Sequence, residues 1–242
     1  MQEDALHWRV YERIVAAAEA EAGGIEYSVT PNARITGEIS GKRRQVDVLI
    51  DARWGDDLSG RIIVDAKLRS RRIDIRDIES LEAMMKDCRA GRGVIVCANG
   101  YTDGALKRAQ ESITIKLLTA EEADDFNWAA FDPCIGQCNE SSKVSKGLVL
   151  WDGQHPLTLG GGWAIVFTGK CDTCHEFHIW CWDCGERFAL SSEGEHQCDC
   201  ERTWVSAIEE ETEGGSKGQL NAVHLLMTDG DEVFSLDRRA LR

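Results

Sequence analysis

Patterns typical of helices and strands alternate along the first 120 residues, and this alternation constrains the fold more than any other feature of the 242-residue chain. Apolar residues recur at helical or alternating spacing in successive segments, with glycine-containing turns between them. The predicted order is a helix at 5–22, strands at 33–39, 45–52 and 60–68, a helix at 75–90, a strand at 94–98, a helix from Thr102 and a strand at 113–118. This order predicts an α/β fold in which helices pack around one sheet.

The composition of the chain indicates the cellular compartment in which it is expected. No apolar run approaches the roughly 20 residues that a membrane span needs, and the charged N-terminal segment lacks the apolar core of a signal peptide. We therefore expect a cytoplasmic protein with no membrane partner. In that reducing compartment, the 10 cysteines are expected to be thiols or metal ligands rather than disulfides.

The formal net charge of −14 argues against a protein that is covered in positive charge for nucleic acid. The negative charge is distributed unevenly along the chain. Residues 1–125 carry 19 Lys and Arg against 23 Asp and Glu, whereas residues 126–242 carry 9 Lys and Arg against 19 Asp and Glu. Phosphates are bound mainly through Lys and Arg. Any nucleic-acid surface should therefore be local and lie in the N-terminal half.

Two acidic residues interrupt strongly apolar strands. Asp47 lies in VDVLI and Asp65 in IIVDAKL, where a buried charge is costly without a partner. Asp65 and Lys67 are two residues apart, so both project from one face of a sheet. If the two strands pair as a hairpin, Asp47 comes alongside Asp65, and a divalent cation with oxygen ligands, such as Mg²⁺, would neutralise the pair.

Lys67 and Glu12 complete this candidate centre. Lys67 could orient or deprotonate a water beside the cation, or stabilise charge that develops on a phosphate. Glu12, on the first predicted helix, could supply a further acidic ligand or hold a water. These are the parts of metal-assisted phosphodiester hydrolysis. Because a D-x-K triplet is common by chance, surface charges on an edge strand remain the alternative on spacing alone.

The ordered set of strands resembles a known family. The run RRQVDVLI…GRIIVDAKLRS…GVIVCANGYTDGALKRAQESITIKLL is similar to the PD-(D/E)xK nuclease superfamily, and within it to the Mrr-type branch. The matching segments are Asp47, Asp65-Ala66-Lys67, Gly100 to Ala105 and Ile113 to Leu118. The resemblance spans about residues 5–120 and implies a restriction endonuclease-like core, in which helices flank a mixed sheet.

The resemblance also implies roles for individual residues. Asp47 and Asp65 would bind Mg²⁺ (or Mn²⁺), Lys67 would be catalytic and Glu12 would assist. One departure is that the D-x-K acid is Asp where Glu is commoner, which makes the side chain one methylene shorter.

The segment from Lys67 to Arg76 holds five basic residues and one acid, and is the dense basic run of an acidic chain. Three of its arginines follow the D-x-K strand directly, and a fourth leads into the Asp47 strand. We predict that these four hold DNA phosphates near the metal, with a solvated loop as the alternative. They are Arg69, Arg71, Arg72 and Arg44.

Eight cysteines crowd the second half of the chain, in C-x-x-C and C-x-C spacings that suit tetrahedral structural Zn²⁺. They are Cys134, Cys138, Cys171, Cys174, Cys181, Cys184, Cys198 and Cys200. The βαβ context expected of a redox C-x-x-C is missing. The other two cysteines, Cys88 and Cys97, lie in apolar settings and are expected to be core thiols.

The grouping of these cysteines follows from a predicted hairpin between Arg187 and His196. It would bring Cys181 and Cys184 beside Cys198 and Cys200, and would leave Cys171 and Cys174 to pair with Cys134 and Cys138 around a second zinc. The rival is one zinc held by Cys171, Cys174, Cys181 and Cys184. His175 and His178 are possible substitute ligands.

These patterns predict a nuclease-like domain at 1–125, a linker at 126–147 and a small β-rich zinc-binding domain at 148–242. The leading hypothesis is a metal-dependent endonuclease acting on DNA, with RNA not excluded. The resemblance points to defence against foreign or modified DNA, and cutting both strands would favour a homodimer. The alternatives are a non-catalytic DNA-binding or adaptor protein that retains the nuclease fold, and a zinc-dependent module whose acidic surface recruits a protein.

Overall fold

The computed structural model describes residues 2–54, 59–110, 112–124, 131–140, 147–160, 162–208 and 222–240, so parts of the predicted linker (126–130 and 141–146) lie outside the described residues. The helices are α1 (Gln2–Gly23), α2 (Ile75–Asp87), α3 (Asp103–Ala109), α4 (Ala120–Asp124) and α5 (Gln137–Glu140). The strands are β1 (Tyr27–Thr36), β2 (Arg43–Ala52), β3 (Ile62–Lys67), β4 (Arg92–Cys97), β5 (Ile113–Leu117), β6 (Phe131–Pro133), β7 (Leu148–Leu159), β8 (Gly162–Cys171), β9 (Phe177–Cys181), β10 (Arg187–Leu190), β11 (Gly194–Gln197), β12 (Thr203–Ile208), β13 (Ala222–Asp229) and β14 (Glu232–Ala240).

The first five strands form one sheet in chain order. β1, β2 and β3 run antiparallel, whereas β3, β4 and β5 are parallel and are connected through α2 and α3. Buried residues of α1 pack with one set of strand residues, and buried residues of α2 and α3 pack with another. The predicted mixed sheet flanked by helices is confirmed.

Local signals define the helix boundaries better than those of the strands. Asp74 and Asp77 form a reciprocal capping box at the start of α2, and the Thr102 hydroxyl caps α3. The strand predicted at 33–39 is wrong at both ends. Tyr27 pairs with Ala52 and Thr36 with Arg43, so the length of the neighbouring strand determines where β1 begins and ends.

The second half of the chain folds into two antiparallel sheets. One has the order β10-β9-β8-β7-β6 and the other β11-β12-β13-β14. Val166 and Phe177 of the first sheet share a buried core with Trp204 and Leu225 of the second. The predicted β-rich half is therefore confirmed. Among the described helices, none is long and apolar enough to cross a membrane.

The two halves pack directly on each other. Phe131 and Leu150 belong to the same buried core as Tyr11 and Val15 of α1. Ser28 Oγ in β1 donates a hydrogen bond of 2.6 Å to the carbonyl oxygen of Arg238 in β14. Residues 131–133 and 137–140 of the predicted linker form β6 and α5. The domain boundaries themselves stay a prediction.

Candidate nuclease site

The two predicted acidic residues of the sheet come together where β2 and β3 separate. Val48 pairs with Val64, which places Asp47 and Asp65 at the next position of the antiparallel pair. The Asp47 carboxylate accepts a hydrogen bond of 2.8 Å from the backbone N–H of Ala66. The hairpin that the sequence predicts is thus formed, and it brings the two side chains to one point.

Glu12 reaches the same point from α1. Its carboxyl group shares a hydrogen bond with Asp47, and Asp47 shares another with Asp65. Burial, and next the charge of Asp47, raise the pKa of Glu12 to about 8. Burial, with a smaller contribution from the charge of Asp65, raises the pKa of Asp47 to about 6 against the opposing effect of the Ala66 N–H. Full ionisation of the three groups is therefore unfavourable without a cation.

Lys67 completes the cluster from β3. Its ammonium group forms an ion pair with the Asp65 carboxylate, and each of these side chains is about a quarter exposed. A cavity of about 300 Å³ opens beside Asp47, Asp65 and Lys67, and Ser80 and Met84 of α2 also line it. A cation and a phosphate oxygen can approach the carboxylates from this cavity.

The arrangement fits a divalent cation of the Mg²⁺ class. Glu12, Asp47 and Asp65 offer only carboxylate oxygens, which such cations prefer. Burial is the main cause of the raised pKa values of Glu12 and Asp47, neighbouring carboxylates add to it, and a cation would offset both effects. A larger cavity of about 890 Å³ lies between the C-terminal end of α1 and strands β7 and β8, and none of the three carboxylates lines it.

Three of the four arginines predicted to bind phosphate are engaged in ion pairs. Arg69 Nη2 lies 2.6 Å from the Asp77 carboxylate, and Arg71 contacts both Asp74 and Asp77. Arg44 Nε lies 2.5 Å from Asp87. The side chain of Arg72 is exposed. The pairs of Arg69 and Arg71 hold the loop after β3 against the start of α2, and the pair of Arg44 joins β2 to the end of α2. The phosphate-binding role of the arginines stays a prediction.

The eight cysteines of the second half lie in two groups of four, and within each group the sulfur atoms are all within 4.8 Å of one another. The groups are Cys134, Cys138, Cys171 and Cys174, and Cys181, Cys184, Cys198 and Cys200. This is the grouping that the hairpin argument predicts, and the rival grouping is not formed. Cys88 and Cys97 are buried, as expected of core thiols.

Arg202 and His178 lie near the cysteine groups and have different roles there. Arg202 Nη1 lies 3.4 Å from Cys200 Sγ and 3.6 Å from Cys181 Sγ, where its charge would offset thiolates. His178 belongs to neither group, because its Nε2 accepts from the backbone N–H of Ile135 and its Nδ1 bonds the carbonyl of Glu176. Burial lowers the pKa of His178, which favours the neutral ring that these two bonds require.

Two residues beside the carboxylates were absent from the sequence prediction. Asp172, between Cys171 and Cys174, forms an ion pair with Arg13 of α1. Asn32 of β1 donates to the carbonyl of Asp172. These contacts join residues 159 and 140 positions apart, so no local pattern could have shown them.

Comparison with known proteins agrees with this geometry. Residues 3–126, about half of the chain, match the Mrr_cat family, which is described as "Restriction endonuclease". The chain belongs to the Mrr-type restriction endonuclease family. A solved structure titled "Crystal Structure of Protein of Unknown Function AF1548" is 14% identical over 51% of this chain and 68% of its own, with a TM-score of 0.37. No curated protein matches the chain significantly.

The Mrr-type match ends near residue 126, so the paired-cysteine half lies beyond it. Within the match, the Gly100-Tyr101-Thr102 motif has a structural role in shaping the turn before α3. Gly100 adopts a φ of +75°, which favours glycine. Tyr101 bridges to Ile73, and the Thr102 hydroxyl caps α3. The neighbouring Asn99 side chain donates to the carbonyl of Arg69, which holds the loop after the D-x-K strand.

Proposed function

We propose that this Mrr-type nuclease is an endodeoxyribonuclease that requires Mg²⁺ or Mn²⁺. Glu12, Asp47 and Asp65 would hold the cation, and Lys67 would act on the reacting groups. The observation that carries this proposal is the convergence of three half-buried carboxyl groups with a lysine at one point between α1, β2 and β3. A structural ion pair alone would not need three mutually repelling acids.

Each side chain of the centre has a distinct task in this proposal. A bound divalent cation supplies Lewis acidity at the scissile phosphate. The Asp65 carboxylate orients the ammonium group of Lys67, which holds the attacking water or stabilises negative charge on a phosphate oxygen. The Ala66 N–H fixes one oxygen of Asp47. Arg44, Arg69, Arg71 and Arg72 would position the DNA backbone.

We further propose that each group of four cysteines binds one structural Zn²⁺. Four thiolates within reach of one point form a closed tetrahedral set, which stabilises folding rather than catalysis. Elemental analysis of the purified chain should therefore find two zinc ions per chain. A content below one zinc ion per chain would overturn the zinc assignment.

The biological setting belongs to the same proposal. Family membership suggests defence against foreign or modified DNA, in the cytoplasm. Cleavage of both strands requires two active centres, which favours a homodimer. A protein partner for the acidic second half is a further expectation, and the exposed Trp163 and Trp182, 73% and 54% accessible, favour it.

The test of catalysis is cleavage of plasmid DNA with Mg²⁺ or Mn²⁺. We expect nicked or linear plasmid with the wild-type protein, and a loss of about 100-fold or more in rate for Asp65→Ala and Lys67→Ala. Lys42→Ala, a change at an exposed lysine in the turn before β2, is the matched control and should cleave normally. Cleavage that survives both site substitutions would overturn the site assignment.

The same assay separates the alternative function. A wild-type protein that cleaves neither plasmid, single-stranded DNA nor RNA, but still binds DNA, would be the non-catalytic DNA-binding or adaptor protein. Rapid cleavage of RNA with none of DNA would replace the proposed substrate while leaving the site assignment intact.

A further inference from the structure

One loop of the first cysteine group touches the helix that carries Glu12. The Arg13 Nε atom lies 2.7 Å from Asp172 Oδ2, and these side chains are only 16% and 6% exposed. Arg13 follows Glu12 directly on α1, and Asp172 lies between Cys171 and Cys174. A nearly buried ion pair of this kind fixes the position of the α1 backbone beside the Glu12 carboxylate.

The same aspartate also holds the strand opposite Asp47. Its backbone carbonyl accepts a hydrogen bond of 2.8 Å from Asn32 Nδ2. In the β1–β2 ladder, Pro31 pairs with Val48 and Ala33 with Val46, so Asn32 lies opposite Asp47 with no shift of register. Asn32 has a φ of +49°, a left-handed conformation that needs support from its surroundings.

Asp172 is itself held firmly by the loop between its flanking cysteines. Its second carboxylate oxygen accepts hydrogen bonds from the Leu148 N–H at 2.9 Å and the Thr173 hydroxyl at 3.0 Å. Its own N–H donates to the carbonyl of Leu148 at 2.9 Å. Leu148 of β7 and Thr173, which lies between Cys171 and Cys174, therefore fix the place of the Asp172 carboxylate.

These contacts meet in one small cleft, which is lined by Glu12, Arg13, Asn32, Asp47 and Asp172. We infer that Asp172 is a positioning residue for the nuclease centre, because it holds α1 through Arg13 and β1 through Asn32. The first cysteine group then sets the distance between Glu12 and Asp47. The inference rests on the proposed function, and it predicts that cation affinity depends on a residue outside the Mrr-type match.

The second cysteine group supplies a matched control. Asp183 lies between Cys181 and Cys184 and forms an ion pair of 2.8 Å with Arg202, whose side chain is 12% exposed. The chemistry is the same, but both partners belong to the β-rich half. Asp183→Asn should therefore disturb the second group without moving the carboxylates of the nuclease centre.

The experiment compares Asp172→Asn and Asp183→Asn in the full chain, with Mn²⁺ as the probe cation. Asp172→Asn should weaken Mn²⁺ binding, measured by calorimetric titration, by about 10- to 100-fold, the range found for groups that orient metal ligands. The kcat for plasmid cleavage should fall while KM for DNA stays unchanged. Zinc content should remain that of the wild type, and Asp183→Asn should match the wild type in all respects except stability.

Arg13 provides a second line of test, which remains informative if Asp172→Asn folds poorly. Arg13→Gln should reproduce the loss of Mn²⁺ affinity, and Arg13→Lys, which keeps a cation, should restore part of it. The double variant Arg13→Gln/Asp172→Asn should be no worse than either single one, because both remove the same clamp.

Different experimental results would overturn the proposed nuclease function and the positioning role of Asp172. A wild-type protein that neither binds Mn²⁺ nor cleaves DNA would overturn the proposed function and this inference together. An active wild type with unchanged Mn²⁺ affinity and kcat in Asp172→Asn and Arg13→Gln would overturn the inference alone. So would an equal loss of Mn²⁺ affinity in Asp183→Asn, because the effect would then come from general destabilisation.

Discussion

Three carboxyl groups at residues 12, 47 and 65 share hydrogen bonds in the described structure, and two of them have raised pKa values. Burial of these acids beside one another costs stability, and in a protein selected for stability alone a single substitution would remove that cost. The proposed cation site gives these residues a function that offsets the cost. Asp51, four residues after Asp47 in β2, differs because Arg61 pairs with both of its carboxylate oxygens, at 2.7 and 2.8 Å.

The first prediction concerns a substitution that removes one of these acids. Glu12→Gln should stabilise the Mg²⁺-free protein by about 1–2 kcal/mol, because the neutral amide replaces an acid whose ionisation is opposed by burial and by Asp47. The variant should also lose the rise in Tm that Mg²⁺ gives the wild type. Denaturant unfolding near pH 7.5 measures the change in stability, and thermal unfolding with and without Mg²⁺ measures the change in Tm, both without a chelator that would also remove zinc.

The control for that prediction is Glu19→Gln on the same helix. The Glu19 carboxylate is paired with Lys116, so its neutralisation should not stabilise the protein. A Glu12→Gln variant that is less stable than the wild type would show that Glu12 is a favourable structural contact.

The second prediction concerns His155, which is 2% exposed and bonds the Thr168 hydroxyl at 2.9 Å. Burial, with smaller contributions from the charges of Arg53 and Lys170, lowers the pKa of His155 to about 4 against the opposing effect of Asp237. Because the unfolded chain then binds this proton more readily, stability should fall as the pH drops from about 6.5 towards 4. Within that window the loss reaches about 1.4 kcal/mol for each pH unit.

The measurement is denaturant unfolding at pH 7.0 and pH 5.5 with excess Zn²⁺. His155→Gln keeps a polar group near Thr168 but cannot take up the proton, so the difference in stability between the two pH values should shrink by about 1 kcal/mol. An identical difference in both proteins would show that His155 does not titrate in this way.

At the scale of elements, close approach of backbone to sulfur shapes the first cysteine group. Gly147 precedes β7, and its carbonyl accepts from the N–H of Cys134. A Cβ atom at Gly147 would lie 2.3 Å from Cys171 Sγ and 3.0 Å from Cys138 Sγ. Only a residue without a side chain lets the start of β7 pass this close to the sulfur atoms.

The third prediction follows from that contact. Gly147→Ala should displace the sulfur atoms and cost the protein one of the two proposed zinc ions, as elemental analysis would show. Gly160→Ala is the control, because a Cβ at Gly160 has nothing within 4 Å. Retention of both zinc ions in Gly147→Ala, with unchanged Tm, would contradict the prediction.

On the scale of the whole molecule, a fully buried charge network joins the two halves. Arg53, after β2, lies 3.1 Å from Asp152 of β7 and 2.7 Å from Asp237 of β14, and Lys170 of β8 contacts both acids. Burial alone would raise the pKa of Asp237, but Arg53 and Lys170 hold it well below its usual range. Loss of one member leaves the others charged and without full compensation in the interior.

The fourth prediction is that the halves unfold together. Asp237→Asn should cost about 3–5 kcal/mol, because it leaves Arg53 and Lys170 with one carboxylate between them. Asp132→Asn, which breaks an exposed pair with Arg187, should cost no more than about 1 kcal/mol. Calorimetry should show a single transition in each case, and two separate transitions would show that the halves are independent domains.

Local sequence patterns predict much of this architecture. The α/β order of the first half follows from the spacing of apolar residues, because periodicity reports which face of an element is buried. The meeting of Asp47 and Asp65 follows from two adjacent strands, and the grouping of Cys181 and Cys184 with Cys198 and Cys200 follows from a short hairpin. In each case the partners are close in sequence or joined by one predictable turn, so pattern alone determined the contact.

Only the tertiary structure decided which distant residues meet. Arg13 and Asp172 are 159 residues apart, and Arg69 and Arg44, predicted for phosphate, face Asp77 and Asp87. Which charged residues form a pair depends on how helices and sheets pack, and the spacing of residues along the chain does not predict that packing. The sequence by itself determined the kinds of element and which residues are proposed for the centre, because both follow from local spacing. Packing decided that the cysteine-rich half contacts the helix of Glu12 through Asp172 and Arg13.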